Sequence, residues 1–240
     1  MKKILLLASL LFLGFQGKSQ ILISIIFGDK LNSPNLEFGL EGGYNWSQIS
    51  GFQTGTPLSN FNLGFYFDFK IKQDFFIYTG VLVKSNMGVG ELQYADLNRI
   101  GASIYTDNNG NYLAGSYSQK LNYFWVPVLA KYRHKSHFFV EAGPQFGLMY
   151  KANVNFHAKV EDITSDFVEQ NKDDINRIDM GAVVGAGYKF KKGPGWSVSV
   201  KYYQGFVDVY KNVKNTKNSG FFVSGFIPIG ANKKTDKTEK

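Results

Sequence analysis

Apolar and polar residues alternate with period two in one segment of this chain after another, the pattern of strands with two unlike faces. Leu36, Phe38, Leu40, Gly42, Tyr44 and Trp46 alternate with Glu37, Gly39, Glu41, Gly43, Asn45 and Ser47. Phe61 to Ile71 sets Phe, Leu and Ile against Asn62, Gly64, Tyr66, Asp68 and Lys70, and Ile77 to Val83 opposes Tyr78, Gly80, Leu82, Lys84 and Asn86. Phe124 to Tyr132 opposes Trp125, Pro127, Leu129 and Lys131, while Phe138 to Tyr150 opposes Glu141, Gly143, Gln145, Gly147 and Met149. Ile178 to Phe190 opposes Asp179, Gly181, Val183, Gly185, Gly187 and Lys189; Trp196 to Tyr202 opposes Ser197, Ser199, Lys201 and Tyr203. An eighth run, Phe221 to Ile229, is apolar in both registers, so its faces stay open.

The connections alternate too. Tight turns are expected around Lys72-Gln73-Asp74, His134-Lys135-Ser136-His137 and Lys191-Lys192-Gly193-Pro194. Between them lie long connections, at 48–60, 89–120, 151–177 and 207–219. Runs of about 10 to 12 residues suit the tilted strands of a membrane barrel better than the usual 5–6 of a soluble sheet. The expected fold is therefore all-β: an eight-stranded antiparallel up-and-down transmembrane β-barrel with short periplasmic turns and long extracellular loops.

Which face meets lipid follows from charge. In the first seven runs the apolar register contains no Asp, Glu, Lys or Arg. The other register holds Glu37, Glu41, Asp68, Glu141 and Asp179 against Lys70, Lys84, Lys131, Lys189 and Lys201, a balance suited to pairing inside a narrow lumen. Eight strands enclose only enough room for side chains, so a plugged barrel is expected rather than an open pore. Tyr44, Trp46 and Tyr150 by the long loops, and Phe69, Tyr132, Phe138, Phe190 and Trp196 by the short turns, read as aromatic girdles at the two interfaces. A soluble lipocalin-like carrier would place the apolar face inside and gives no reason for the short–long alternation of connections.

Composition narrows the function. The 240 residues include 22 Phe, 14 Tyr, 26 Gly and no Cys, which removes disulfide scaffolds and thiolate chemistry. The formal charge of +8 falls to +5 without Lys2, Lys3 and Lys18, and the last ten residues supply another two of those charges. No basic cluster remains in the body, so nucleic acid is rejected as a partner. Lys2 and Lys3, the apolar stretch Ile4 to Phe15, and Gly17 and Ser19 before Gln20 form the pattern of a cleaved secretory signal. The expected organisation is a signal peptide at 1–19, a periplasmic segment at 20–35, the barrel at 36–230 and a basic tail at 231–240.

Four motifs then resemble the PorT-type outer-membrane β-barrel family of Gram-negative bacteria. Leu121 to Tyr132 (LNYFWVPVLAKY) is similar to the family's Y-L-E-I-P-L-L-L-K-Y strand, and Phe138 to Tyr150 (FFVEAGPQFGLMY) to the A-G-P strand after it. Met180 to Phe190 (MGAVVGAGYKF) resembles the G-x-x-x-G-x-G-Y strand, and Gly39 to Ser47 (GLEGGYNWS) the opening G-x-x-x-G-x-N-x-S strand. Trp125 stands where the family usually carries a lumen-facing Glu. The resemblance implies the outer membrane of a Gram-negative bacterium, no cofactor, and an envelope role; the family's best-known member assists type IX protein secretion.

Other chemistry finds little support. His134 and His137 flank Lys135, poor zinc chemistry, so no metal is expected. His157 sits in a long connection without an obvious Ser or Asp partner, and no His falls in a strand, so no catalytic site is expected. Gly181, Gly185 and Gly187 lie in one strand register, unlike a dinucleotide loop. Asp107-Asn108-Asn109-Gly110-Asn111 reads as a type I′ hairpin turn, and 161–174 as a solvated acidic loop. The reading is a non-enzymatic, monomeric barrel whose partners are membrane lipid and any protein met by its loops or turns. Small-molecule binding or transport is the alternative.

Overall fold

The alternating segments close on one another into a ring. In the computed structural model, which describes residues 33, 35–53, 55–160, 163–190 and 195–229, nine strands form one antiparallel sheet. They are β1 (Leu36–Ile49), β2 (Thr56–Lys70), β3 (Phe75–Gly90), β4 (Gly115–Arg133), β5 (Phe138–Val160), β6 (Ile163–Gln170), β7 (Ile178–Lys189), β8 (Ser197–Asp208) and β9 (Lys217–Pro228). β1 pairs with both β2 and β9, and β4 pairs with β5. β7 follows β5 in the ring. Eight strands thus make a closed barrel with no free edge, and β6 stands outside it against the upper part of β5. The expected leader, the tail and the turn at 191–194 lie outside the described residues.

Burial follows the two registers. Tyr44, Phe61, Phe124, Val126, Val128, Phe146, Leu148, Val184, Val200 and Phe221 stand exposed on the outer wall, while Tyr66, Tyr78, Tyr123, Trp125, Leu129 and Tyr203 fill the interior. Glycines on the inward register let those rings lie flat against the wall: a Cβ on Gly147 would run into the Trp125 ring, and one on Gly187 into Phe139. The undecided eighth run, β9, turns Phe222 and Phe226 inward and Phe221, Val223 and Ile227 outward. Phe226 meets Tyr66 and Tyr78 edge-on at 5.2 and 6.0 Å, which explains why both of its registers are apolar.

Several strands run further than the alternation indicated. β4 and β5 are 19 and 23 residues long, well beyond a bilayer crossing. Within the expected acidic loop at 161–174, residues 163–170 form β6 and Lys172–Asp174 a 3-10 turn. The long β3–β4 connection contains a short helix, α1 (Tyr94–Ile100), ended by Gly101 at φ +71°. Its Asn-Gly turn is not type I′, which needs positive φ at both central residues. Only Gly110 is left-handed (φ +83°), with Asp107 Oδ1 accepting from the Asn109 and Asn111 N–H groups, and the sole strand pairing is the bridge Thr106–Tyr112.

Candidate functional site

The short-turn half of the lumen is filled by ionised side chains. Lys131, on β4, reaches Asp68 on β2 at 2.8 Å and Glu141 on β5 at 3.3 Å. Arg133 joins Asp68 at 3.0 Å, and its guanidinium lies 4.2 Å from the Phe76 ring centre. Lys189 on β7 meets Glu37 on β1 at 2.5 Å, with the Tyr66 hydroxyl donating to the same carboxylate at 3.0 Å. Lys201 on β8 lies 3.2 Å from Glu41 and 3.7 Å from Glu141, and the Tyr78 hydroxyl donates to Glu41. Four carboxylates thus face four cations, tied from strand to strand around the ring. The cations also sit over aromatic faces: Lys131 and Lys201 flank the Tyr78 ring at 4.5 and 4.3 Å.

Glu37, Glu41, Asp68, Lys131, Glu141, Lys189 and Lys201 are therefore brought together. Three other charges expected in the lumen are not. Asp179 is buried nearer the long loops, where Asn218 Nδ2 donates to it at 2.7 Å, and among the described residues no Lys or Arg pairs with it. Lys70 lies exposed at the short-turn rim. Lys84 is on the outer wall, because β3 carries a bulge between Leu82, opposite Trp125, and Ser85, opposite Tyr123. Val83 and Lys84 together face Phe124, so the inward register passes from even to odd residues and Lys84 turns out over Phe61, 5.7 Å from its ring centre. Arg133, Tyr66 and Tyr78 share the inward register of their strands and complete this network.

The expected girdle residues Tyr44, Trp46, Phe69, Tyr132, Phe138, Phe190 and Trp196 are exposed on the outside, and Tyr150 is half-buried against Phe124 at 4.7 Å.

Towards the long loops the interior, Asp179 apart, is held by neutral side chains and merges with a folded cap. Gln119 is its hub: its amide donates to the Asn153 carbonyl at 3.1 Å and to Asn171 Oδ1 at 3.2 Å. Its oxygen accepts from Asn171 at 2.8 Å and from the Tyr210 hydroxyl at 2.7 Å. Burial pushes the Tyr210 hydroxyl well above the ordinary tyrosine range, keeping it a donor. Met87, Leu121, Leu97 and Ile175 pack around this hub. Arg99 of α1 donates to the carbonyls of Gly51 and Lys214, and Asp96 accepts from the Gln53 N–H at 3.0 Å, so the β1–β2 and β8–β9 loops are clasped to a helix carried by the β3–β4 loop.

His157 does have a carboxylate partner and does lie in a strand. β5 continues past the long-loop rim, and the His157 ring nitrogen sits 2.5 Å from Asp166 of β6. Ser116 of β4 is its register partner on the other side, but no Ser116–His157 hydrogen bond forms and all three residues are exposed. Nothing there excludes water or holds an oxyanion. Among the described residues no group of three His, Asp or Glu side chains is placed to bind a metal.

Solved structures of similar form include Ail of Yersinia pestis in complex with the heparin analogue sucrose octasulfate (TM-score 0.41, 11% identity, 80% of this chain and 98% of that one). Others are the Neisserial surface protein A (0.38, 9%, 80% and 96%) and the outer membrane protein OprG from Pseudomonas aeruginosa (0.35, 10%, 81% and 93%). No curated protein sequence matches significantly. The family profile described as outer membrane protein beta-barrel domain matches residues 27–211, most of the chain. The protein resides in the outer membrane, and the chain belongs to the outer-membrane protein β-barrel domain family.

Proposed function

We propose that this is a non-enzymatic, monomeric barrel with a permanently plugged lumen, whose work is done by its folded extracellular cap. The carrying observation is the balanced set of ion pairs, Glu37–Lys189, Glu41–Lys201–Glu141 and Lys131–Asp68–Arg133, spanning the lumen where a conduit would have to pass. Opening a pore would leave buried charges without partners, at several kcal/mol per ion on the order given for such groups. The cap clasped by Arg99 and Gln119 offers a rigid scaffold for recognition, as loops on stable frames commonly do. Planar-bilayer recording of purified protein should show no stable conductance steps; reproducible steps of one size would overturn the plugged reading.

The four strand motifs support a narrower placement in the PorT-type group, with an accessory role in type IX protein export and a signal peptide at 1–19 removed on the way out. Deletion of the gene should then impair export of type IX cargo, and normal cargo export would remove the secretion role while leaving the plugged barrel intact.

A further inference from the structure

The outer wall changes character abruptly on one side of the barrel. Going up β4, the outward residues are Tyr132, Ala130, Val128, Val126 and Phe124, then Asn122, Lys120, Ser118 and Ser116. On β5 the outward series runs through Phe138, Val140, Phe146, Leu148 and Tyr150, then Lys151, Asn155 and His157. On these strands the apolar wall gives way to polar residues, lysines among them.

Two bulges set where two of these lysines emerge. The β3 bulge turns Val83 and Lys84 out together opposite Phe124. In β5, Tyr123 pairs with Met149 while the next residue down in number, Asn122, pairs with Lys151, so Tyr150 is the extra residue and Lys151 emerges outward beside it. Lys151 faces Asn122 directly and is diagonal to Lys120, which faces Asn153. Lys84, Lys151 and Lys120 therefore occupy three adjacent strands, level in turn with Phe124, Asn122 and Lys120 of β4, so they step up the wall by two residues each and span roughly 13 Å along the strands and two strand spacings across them. None of the three makes an ion pair or side-chain hydrogen bond among the described residues; Lys84 has only the Phe61 ring. This contrasts with the lumen, where four cations each have a carboxylate.

We infer that Lys84, Lys120 and Lys151 form a docking site for the phosphorylated headgroup of an outer-leaflet glycolipid. This rests on the apolar wall below them lying in the membrane. Acyl chains would lie along Phe124, Val126, Phe146 and Leu148, and the phosphates would meet the three ammonium groups where those chains end. The sugars would then rise along the polar outer face of β4 and β5, past Ser118, Ser116 and Asn155. Cations at this depth are otherwise costly, and a phosphate partner answers them. The other candidate occupant, a protein strand on β6, would meet the opposite side of the sheet edge and leave these lysines unpaired.

The full-length protein, folded into nanodiscs, is offered diphosphorylated lipid A, its enzymatically dephosphorylated counterpart, or phosphatidylcholine alone, and retained lipid is counted by native mass spectrometry. Wild type should retain the phosphorylated form preferentially. The triple variant K84Q/K120Q/K151Q should lose that preference at roughly five-fold per lysine. The loop variant K211Q/K214Q should keep it. Heat-modifiable gel mobility checks that each variant still forms the barrel, a readout separate from lipid retention. Equal retention of phosphorylated and dephosphorylated lipid by wild type, an unaltered preference in the triple variant, or the same loss in the loop variant would each overturn the site.

Discussion

The two halves of the interior are packed by different physics. Near the short turns, Lys131, Lys189 and Lys201 with Arg133 neutralise Glu37, Glu41, Asp68 and Glu141 inside a wall of Tyr and Phe rings. Near the long loops, Gln119, Asn171 and Tyr210 satisfy one another with neutral hydrogen bonds, and Met87, Leu121 and Leu97 supply apolar volume. The charged half lies within the membrane-spanning part of the ring, where the closed sheet leaves no slack and each charge depends on its partners. The neutral half continues into the cap, where helix, loops and β6 can settle around a defect. The comparison teaches that removal of one polar group should be felt far more below than above.

The strongest test is Lys131→Met. It deletes the cation shared by Asp68 and Glu141 while keeping most of the apolar stem, so both carboxylates lose a buried partner. Breaking a buried pair in this way should destabilise the barrel by about 3–5 kcal/mol, since an uncompensated charge remains behind. Urea unfolding in lipid vesicles, followed by tryptophan fluorescence, should show a destabilisation of that size. A loss below about 1 kcal/mol, the range of surface pairs, would mean that water reaches the lumen and that the lower half is not a sealed plug.

Gln119→Leu addresses the upper half. It leaves the Asn153 carbonyl, Asn171 and Tyr210 short of partners but strands no charge. An unfolding penalty of about 1–3 kcal/mol is expected. Limited proteolysis should locate the effect: cleavage should accelerate in the segment around Asn171 and Tyr210 while the ring stays resistant. Equal loss of ring and cap would show that the two halves fold as one unit.

The same division explains what could be read from the residues alone. The ring strands were legible because lipid and lumen impose unlike demands on neighbouring side chains, so Phe124, Val126 and Val128 stand apart from Trp125, Leu129 and Lys131. Legibility ended where that contrast ends. Above the membrane both faces of β5 and β6 are wet or meet other protein, so 163–170 shows acidic residues without a clear period and reads as loop. Lys84 was misplaced because a single inserted residue in β3 reverses the register, and nothing in the identity of Val83 or Lys84 announces the insertion. The upper hub was missed because Gln119, Asn171 and Tyr210 are distant in sequence and of types common in loops. Its members meet only after the strands have closed.

The smallest effect belongs to the β3–β4 loop of the cap, at Asp107. The Asn111 side-chain amide donates to its carboxylate at 3.0 Å, and the backbone N–H groups of Asn109 and Asn111 donate at 2.8 Å each. These bonds, the Asn111 side chain foremost, hold the carboxyl below the ordinary aspartate range. A lowered folded value means that the turn is supported above the unfolded aspartate pKa. That support fades as pH falls through the lowered value, because the protonated acid accepts these bonds poorly. Amide resonances of Asn109 and Asn111 in micelles should therefore titrate together, with a midpoint below that of a free aspartate. Because the residue is fully exposed, the change should stay within the turn and leave the ring's unfolding midpoint unmoved. A midpoint at or above the free-aspartate value would remove the carboxylate from the turn, and a matching shift in ring stability would erase the boundary between the cap and the charged half of the lumen.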